Sequence, residues 1–406
     1  MVKNIVILGA GFAGLKVTQD LTKKLKDPNY NITLIEKSDV HLYRADLYEV
    51  ATAFNQKITK ECLTKLRNTI ATPITELVDT NRVKLIKDEV VKIKSREILL
   101  KKGKPVKYDY LVVALGSITN YFKIPGLEKY SLPLKDIQDG IAINCHLDQH
   151  LQSLWEKKSQ KEVNIVIGGG GATGVETATE LTSAYKKLCK KYDYPYKKIH
   201  IHIIEGQKML GGMDAKGTKI IKARLKELNV KVHFKSFITK VTAKEITIKD
   251  APEKLPYDIL IWTGGVKSNP VVGSKPIEVR PTLQSKDAPS IFAAGDNAFY
   301  PDPQNPKQRL PMLARTAFDQ GSLIAENIIR NIKGKKLKNY KHASLIYILP
   351  LGGRFALLKT QKHLISGRLI WYLRRLIFLK YSLAILPFWK GLRKWAHGTK
   401  IFTEND

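Results

Sequence analysis

Two short glycine-rich segments carry the residues best suited to ligand chemistry in this 406-residue sequence. The first reads GAGFAG at residues 9–14 and the second reads GGGATG at residues 169–174. In this spacing the first glycine permits a tight turn, the second lets backbone approach a diphosphate, and the third lets a helix pack on a strand. A diphosphate at the start of that helix meets unpaired N–H groups and the positive end of the helix dipole. Each segment therefore predicts a dinucleotide site.

Strands and helices in the expected order surround both turns. A β-branched apolar run precedes each turn, a helical stretch follows, and the next predicted strand ends in an acid, Glu36 in the first copy and Glu205 in the second. A carboxylate at this position accepts hydrogen bonds from a ribose diol and repels a 2′-phosphate. Glu205 therefore favours NADH over NADPH.

Three further predicted strands end in small residues, at Gly116, at Gly264 and at Gly295-Asp296. Ligands bind at the carboxyl ends of strands in open α/β sheets. A Pro-rich loop follows at residues 301–311, and then a helix is predicted from Leu313 to about Ile332. The pattern predicts an α/β protein with two Rossmann-like dinucleotide-binding domains.

The formal net charge is +32, and its distribution points to a membrane surface. Residues 327–403 contain 17 Lys and Arg and no Asp or Glu. Nucleic acid is disfavoured because no reader motif accompanies the charge. We call residues 365–396 the tail; its spacing places five apolar side chains on one helical face, opposite three arginines. These are Ile365, Leu369, Leu373, Leu376 and Ile377, against Arg368, Arg374 and Arg375.

Charges interrupt the tail too often for a spanning helix, and Pro387 breaks it before a second basic-aromatic piece. We expect an interfacial segment on anionic lipid, peripheral on the cytoplasmic side of the cell membrane. No secretion signal is recognised at the N-terminus. Packing of the tail on its own domain, or a homodimer through it, remains an alternative.

The sequence shows little sign of a disulfide, metal or nucleophile site. The cysteines, Cys62, Cys145 and Cys189, show neither a disulfide framework nor metal-ligand spacing, so no metal site is predicted. No Ser/His/Asp or Cys/His constellation has a local motif around it. His200 and His202 lie on a predicted strand, where packing roles are expected.

Taken together, these motifs resemble the two-dinucleotide flavoproteins, and within them the type II NADH dehydrogenases. The resemblance rests on the two glycine turns with their acids, on VVALG at residues 112–116 and on IFAAGD at residues 291–296, and it runs to about residue 330. It implies a single-chain FAD-dependent NADH:quinone oxidoreductase that passes hydride from NADH to flavin and electrons to a membrane quinone, without proton pumping.

The same resemblance carries over particular residues. Glu176 matches a family carboxylate near the nicotinamide–flavin junction that is proposed to relay protons, although a plain first-turn acid is the alternative. The FAD residues implied are Gly9, Gly11, Phe12, Ala13, Gly14, Glu36, Lys37, Ala114, Gly116, Asp296 and Ala314. The NADH residues implied are Gly169, Gly171, Ala172, Thr173, Gly174, Glu205 and Gly264.

One motif departs from the family. The quinone-site signature has two glutamines where this chain has Arg315 and Asp319, while Gln320 matches. A neutral amide pair becomes an ion pair or a charged lining. The acceptor alternatives are therefore a small acidic electron-carrier protein, or none, in a non-catalytic flavin- and NADH-binding sensor at the membrane. Disulfide reductases and sulfide:quinone oxidoreductases are excluded because the cysteines that they need beside the flavin are absent from residues 37–53 and after Cys189.

The predicted domain organisation follows from the resemblance. A discontinuous FAD domain comprises residues 1–121 and 266–332, with the NADH domain inserted at residues 122–265. A C-terminal basic amphipathic membrane module occupies residues 333–406.

Overall fold

The computed structural model describes residues 2–273, 275–303, 305–342 and 346–404. The chain forms two compact units. The first unit comprises Met1–Leu42, Ala71–Ile118 and Val266–Ala343, and the second comprises Tyr43–Ile70, Thr119–Gly265 and Ser344–Asp406. These units differ from the predicted domains in that residues 43–70 and the C-terminal residues group with the second unit. The predicted assignment of cofactors to domains stays a prediction.

A five-stranded parallel sheet forms the centre of the first unit. The strand that precedes the first glycine turn lies in the middle, and its last four side chains are fully buried, as is typical of a parallel sheet that is covered on both faces. The order across the sheet is Ile291–Ala293, Tyr110–Val113, Lys3–Leu8, Tyr30–Glu36 and Val83–Lys87.

Smaller elements complete the first unit. The predicted loop at residues 301–311 is partly wrong, since two short strands pair there in antiparallel fashion. The helices are Phe12–Lys24 and Ala314–Ile332, with short 3₁₀ turns at Ile74–Glu76, Pro270–Val272 and Gly295–Asn297. The other strands are Val40–Leu42, Ala71–Pro73, Val90–Ile93, Glu97–Leu100, Val106–Lys107, Val266–Ser268, Ile277–Glu278, Ala298–Phe299, Pro301–Asp302 and Asn305–Arg309, and Ser117–Thr119 ends one residue beyond the unit.

The second unit repeats this plan. Its five-stranded parallel sheet again places the strand before the glycine turn in the middle. The order is Leu132–Pro133, Ile259–Trp262, Val163–Gly168, Ile199–Glu205 and Val230–Phe234. His200 and His202 lie on this sheet as predicted, and Nδ1 of His202 is 3.0 Å from Nε2 of His233.

Two three-stranded antiparallel sheets and most of the helices belong to the second unit. The sheets are Ile238–Val241, Glu245–Ile248 and Leu255–Pro256, and Tyr347–Pro350, Ala356–Lys359 and Leu364–Gly367. The helices are Leu47–Thr52, Lys60–Ile70, Leu127–Tyr130, Ile137–Glu156, Ala172–Lys191, Ala215–Glu227, Arg368–Ile385 and Phe388–Thr403, with 3₁₀ turns at Arg44–Asp46 and Tyr196–Lys198.

Pro387 separates two segments of the tail as predicted, and the second, basic-aromatic piece is part of a helix, Phe388–Thr403. The first of them, which we call the tail helix, is Arg368–Ile385 and continues through Lys380. The prediction that Ile365 shares this helix is wrong, because that residue lies in the strand Leu364–Gly367. Within the described residues, no helix combines the length and the apolar character that crossing a membrane requires.

The tail helix has the predicted apolar stripe, but the three arginines predicted on the opposite face do not share one environment, because Arg368 is exposed. The apolar stripe faces outward, with Leu369 82% exposed. Arg374 and Arg375 face inward and are buried. We call the outward stripe the exposed tail face; it comprises Leu369, Tyr372, Leu373, Leu376 and Ile377.

Candidate dinucleotide sites

The first glycine turn has the geometry of a diphosphate cradle. Gly9 has a φ of +94°, and a Cβ there would lie 2.4 Å from the carbonyl oxygen of Ala114. A Cβ on Gly14 would lie 1.9 Å from the carbonyl oxygen of Gly9. A Cβ on Gly11 would meet nothing within 4 Å. Packing thus explains the outer glycines, whereas the middle glycine borders open space at the start of the helix Phe12–Lys24, as a bound dinucleotide requires.

Glu36 is held against this turn. Its Oε2 accepts a hydrogen bond from the backbone N–H of Ala10 at 2.7 Å, and its Oε1 accepts one from that of Ser38 at 3.0 Å. Lys37 is exposed beside it. Both oxygens of the Glu36 carboxylate are therefore held by backbone amides beside the turn.

The second turn reproduces the same contacts. Gly169 has a φ of +106°, and a Cβ there would lie 2.5 Å from Cα of Gly264. A Cβ on Gly174 would lie 1.9 Å from the carbonyl oxygen of Gly169, and one on Gly171 would again meet nothing within 4 Å. Ala172 and Thr173 begin the helix that follows. The structure thus brings the predicted residues of this turn together.

Glu205 holds the second turn as Glu36 holds the first. Its Oε2 accepts from the N–H of Gly170 at 2.6 Å and its Oε1 accepts from the N–H of Gln207 at 2.7 Å. Both acids are thus oriented by backbone amides.

Asn297, which was not predicted from the sequence, links the chain after the strand Ile291–Ala293 to Gly116, which follows the strand Tyr110–Val113. Its Oδ1 accepts from the N–H of Gly116 at 2.7 Å, and its Nδ2 donates to the carbonyl oxygen of Gly116 at 3.0 Å. Asp296 accepts a hydrogen bond from Ser117 Oγ. A Cβ on Gly116 would meet nothing within 4 Å. The signal for Asn297 was its place directly after the Gly-Asp pair.

The helix Ala314–Ile332 carries the residues of the altered quinone motif. Arg315 Nε and Asp319 Oδ2 are 3.6 Å apart in an exposed ion pair. Gln320 is buried, and its Oε1 accepts from the N–H of Gly295 at 2.8 Å. It also borders a small pocket in the first unit, lined by Gly295, Ala298, Tyr300, Leu310, Pro311, Met312, Leu313, Thr316 and Gln320.

Glu176 lies in the second unit on the helix that follows the second turn. Removal from water raises its pKa to about 8. Arg374 opposes this increase, whereas the carboxylates of Asp46 and Glu49 add to it. A carboxyl group with such a pKa can hold or release a proton near neutral pH.

A buried charge network in the second unit, which was not predicted from the sequence, acts electrostatically on this carboxyl. Arg374 contacts Asp46 at 2.5 Å and donates to the carbonyl oxygen of Ala45 at 3.0 Å. Arg375 pairs with Glu49 and lies 3.7 Å from Asp46. The only available signal was a pair of adjacent arginines in an acid-free segment.

Comparison with known proteins agrees with this geometry. The sequence model of the family described as pyridine nucleotide-disulphide oxidoreductase matches residues 3–321. A type II NADH:quinone oxidoreductase of Staphylococcus epidermidis is 27% identical over 390 residues, which cover 92% of this chain and 94% of that protein. The resemblance to type II NADH dehydrogenases found from motifs is therefore confirmed.

Two solved structures share the fold. NDH2 from Plasmodium falciparum in complex with NADH has a TM-score of 0.83 at 19% identity, covering 100% of this chain and 98% of that chain. The sulfide:quinone oxidoreductase of Aquifex aeolicus has a TM-score of 0.76 at 19% identity, covering 97% and 92%. At this identity they show the α/β architecture with two Rossmann-like sheets.

Proposed function

Because the chain belongs to the pyridine nucleotide-disulphide oxidoreductase family, we propose that it is a membrane-associated NADH:quinone oxidoreductase. The observation that carries the proposal is that one chain has two glycine turns, each with an open middle glycine between two tightly packed ones, and also an outward apolar helix face. The S. epidermidis relative, which is named for this activity, supports it along nearly its whole length.

The first unit would hold FAD. Gly11, Phe12 and Ala13 would present backbone N–H groups to its diphosphate, and Glu36 would accept from its ribose. Lys37 would add a positive charge near the adenosine end. Ala114, Gly116, Asp296 and Ala314 would border the rest of the group. Bound FAD would supply the ring that accepts hydride and passes on electrons.

The second unit would bind NADH in the same manner. Gly171, Ala172 and Thr173 would face its diphosphate, and Gly264 would border the cradle. Glu205 is already oriented by two amides, so it would accept from the 2′-hydroxyl and would repel a 2′-phosphate. The donor would therefore be NADH rather than NADPH.

Glu176 would move the proton. Its pKa of about 8 lets the carboxyl be protonated at neutral pH and still able to donate. Arg374 would act as a positioning residue, since its charge limits how far the pKa of Glu176 rises.

Arg315, Asp319 and Gln320 would border the quinone. The exposed ion pair presents both a donor and an acceptor, where two amides would present the same groups without net charges. A quinone carbonyl would accept from Arg315, so the replacement is compatible with a quinone acceptor. The exposed pair on a chain of charge +32 is also the observation that favours an acidic carrier protein as a second candidate.

The tail would lie on the membrane, peripheral on the cytoplasmic side where NADH is available. The exposed tail face would enter the interface together with Phe388 and Trp389, which are 58% and 72% exposed. Arg368, Lys380 and Arg393 are exposed near it and would meet anionic headgroups. Arg374 and Arg375 would not, because they are buried in ion pairs.

The test is NADH oxidation by flavin-loaded protein on anionic phospholipid vesicles, with a soluble quinone and an acidic carrier protein compared side by side. Deleting the tail is a poor probe, since it would remove Arg374 and Arg375, the buried arginines whose charges balance those of Asp46 and Glu49. A double variant, Leu373→Ser with Leu376→Ser, changes only exposed positions. We expect it to lose vesicle binding and vesicle-dependent quinone reduction, while Val91→Ser, at another exposed apolar position, keeps both.

Rapid quinone reduction by the parent protein supports the proposal. Flavin that NADH bleaches and the carrier protein reoxidises, but quinone does not, would transfer the assignment to a carrier reductase. Flavin that NADH bleaches and that neither acceptor reoxidises would support the third alternative, a non-catalytic flavin- and NADH-binding sensor. A homodimer in solution that dissociates in the double variant would show that the exposed tail face binds a second copy instead of lipid.

A further inference from the structure

One exposed aromatic ring lies directly beside the acid of the second turn. Phe237 is 55% exposed and occupies the connection between the strands Val230–Phe234 and Ile238–Val241. A Cβ on Gly206, the residue after Glu205, would lie 2.4, 2.8 and 2.9 Å from three atoms of this ring. Only glycine therefore lets the ring cover the backbone at this point, and the opposite side of the ring remains in solvent.

The first unit contains the matching position with a different residue. There the N–H of Asp88 donates to the carbonyl oxygen of Glu36 at 3.1 Å, and the N–H of Lys101 donates to that of Glu89 at 2.9 Å.

The second unit has the same two bonds. The N–H of Ser236 donates to the carbonyl oxygen of Glu205 at 3.0 Å, and that of Lys249 donates to the carbonyl oxygen of Phe237 at 2.8 Å. Phe237 thus occupies the place of Glu89, whose side chain forms an exposed ion pair with Lys101 at 2.9 Å. The scaffold accepts a charged residue here, so the fold does not require an aromatic one.

We propose that the exposed ring of Phe237 is the platform on which the adenine of NADH stacks. This inference rests on the proposed NADH site in the second unit. Adenine is attached to C1′ of the ribose, next to the carbon that bears the 2′-hydroxyl. A ribose bound by Glu205 therefore places the base beside the next residue, Gly206, which the ring covers. Stacking on an aromatic ring is the usual way to hold a base without reading its edges.

The platform has a consequence for the donor. It contributes to the binding of the adenosine half and leaves the nicotinamide half untouched. It should therefore distinguish NADH from reduced nicotinamide mononucleotide, which lacks the adenosine.

The test measures binding and turnover separately on the flavin-loaded protein. ADP-ribose carries the adenosine half but no nicotinamide, so its binding by titration calorimetry reports the platform without any redox step. We expect Phe237→Ala to raise the Kd of ADP-ribose about tenfold, from the low end of base-stacking energies. Phe237→Trp should restore binding, and Phe237→Glu, the residue of the first unit, should resemble the alanine variant.

Two comparisons make the result specific. The rate at which NADH bleaches the flavin at low concentration should fall in Phe237→Ala, whereas the rate with reduced nicotinamide mononucleotide should stay within twofold of the parent. Trp155→Ala removes another half-exposed aromatic ring of the second unit and should change neither rate.

An unchanged Kd for ADP-ribose in Phe237→Ala would overturn the platform, as would equal losses with both donors. A parent protein that does not bind ADP-ribose would overturn both the platform and the NADH site. A protein that binds ADP-ribose through Phe237 but fails to reduce quinone would keep the platform and refute only the proposed acceptor.

Discussion

The two units repeat one backbone plan but carry different residues at three matching positions. Both turns place an open middle glycine between two tightly packed ones, and both acids accept from a turn amide. At matching positions the first unit has Lys16, Lys37 and Glu89, and the second has Glu176, Gly206 and Phe237. The repeated hydrogen bonds define a general dinucleotide scaffold. Residue identity at these positions therefore differs although the backbone hydrogen bonds are the same.

The position two residues after the third glycine illustrates this. In the first unit Lys16 pairs with Asp20 at 2.8 Å, and its ammonium lies 5.1 Å from the centre of the Phe318 ring. In the second unit Glu176 is half-buried, and the charges of Arg374, Asp46 and Glu49 act on its pKa. The charge of Lys16 in the first unit is therefore balanced by a local ion pair. At the matching position of the second unit, Glu176 carries a carboxyl that can exchange a proton near neutral pH.

The largest expected effect comes from breaking the network that only the second unit has. Arg374→Met leaves Asp46 buried beside Arg375 alone, and losing one partner of a buried pair costs about 3–5 kcal/mol of unfolding free energy. Urea denaturation of the flavin-loaded protein measures it. Lys16→Met, the matched control on the first turn helix, should cost less, because Asp20 keeps Lys24 at 3.4 Å and the hydroxyl of Ser322 at 2.8 Å as partners. Equal costs for the two variants would contradict the contrast between the networks.

The next effect separates the cofactors. Gly14→Ala and Gly174→Ala each place a Cβ 1.9 Å from a backbone oxygen, which costs about 2 kcal/mol or more locally. We expect Gly14→Ala to lose FAD, seen as flavin absorbance per chain. Gly174→Ala should keep FAD but need roughly thirtyfold more NADH to bleach it.

Alanine at the middle glycine is the control for this pair. At Gly11 the backbone φ is −70° and the added Cβ meets nothing, so Gly11→Ala should weaken FAD retention without lowering the thermal stability of the protein without FAD. If Gly14→Ala and Gly174→Ala lost the same cofactor, the assignment of one cofactor to each unit would be wrong.

The third effect is the pH dependence of Glu176. Its pKa in the folded protein is raised from 4.5 to about 8. Below pH 4.5 the carboxyl is protonated in both states and does not lower the free energy of unfolding, whereas this free energy falls as the pH rises from 4.5 through about 8. The groups that face it oppose one another: Arg374 lowers the pKa, and Asp46 and Glu49 raise it. Glu176→Gln removes the titration, so its unfolding free energy relative to the parent should increase across that interval.

Turnover provides the second measurement of this effect. Quinone reduction by the parent should change with an apparent pKa near 8, and the glutamine variant should lack that step. Superimposable pH profiles would exclude Glu176 as the proton carrier.

The sequence predicted the turns well because glycine spacing encodes backbone geometry directly. Gly9 and Gly169 require positive φ values, and the flanking strands are continuous apolar runs. It failed at the tail for a different reason. Helical periodicity shows which residues share a face but not which face turns inward, so the burial of Arg374 and Arg375 depends on Asp46 and Glu49, more than 300 positions away. Phe237 was not predicted because its position beside Glu205 becomes visible only through the backbone hydrogen bonds that match it with Glu89 of the first unit. The two sequences around these residues are not similar.

The smallest expected effect concerns the exposed ion pair of the first unit, which contrasts with the buried one of the second. Arg315 and Asp319 are both largely solvated, so Arg315→Gln with Asp319→Gln should change the unfolding free energy by less than about 0.5 kcal/mol. If the pair borders the quinone, the double variant should change the kcat/KM for quinone severalfold while the rate of flavin bleaching by NADH stays constant. Altered reduction of an acidic carrier, with quinone kinetics unchanged, would assign the pair to protein docking instead. The same two charges would suit either acceptor. The kinetics therefore distinguish a quinone bound beside the pair from an acidic carrier protein that the pair attracts.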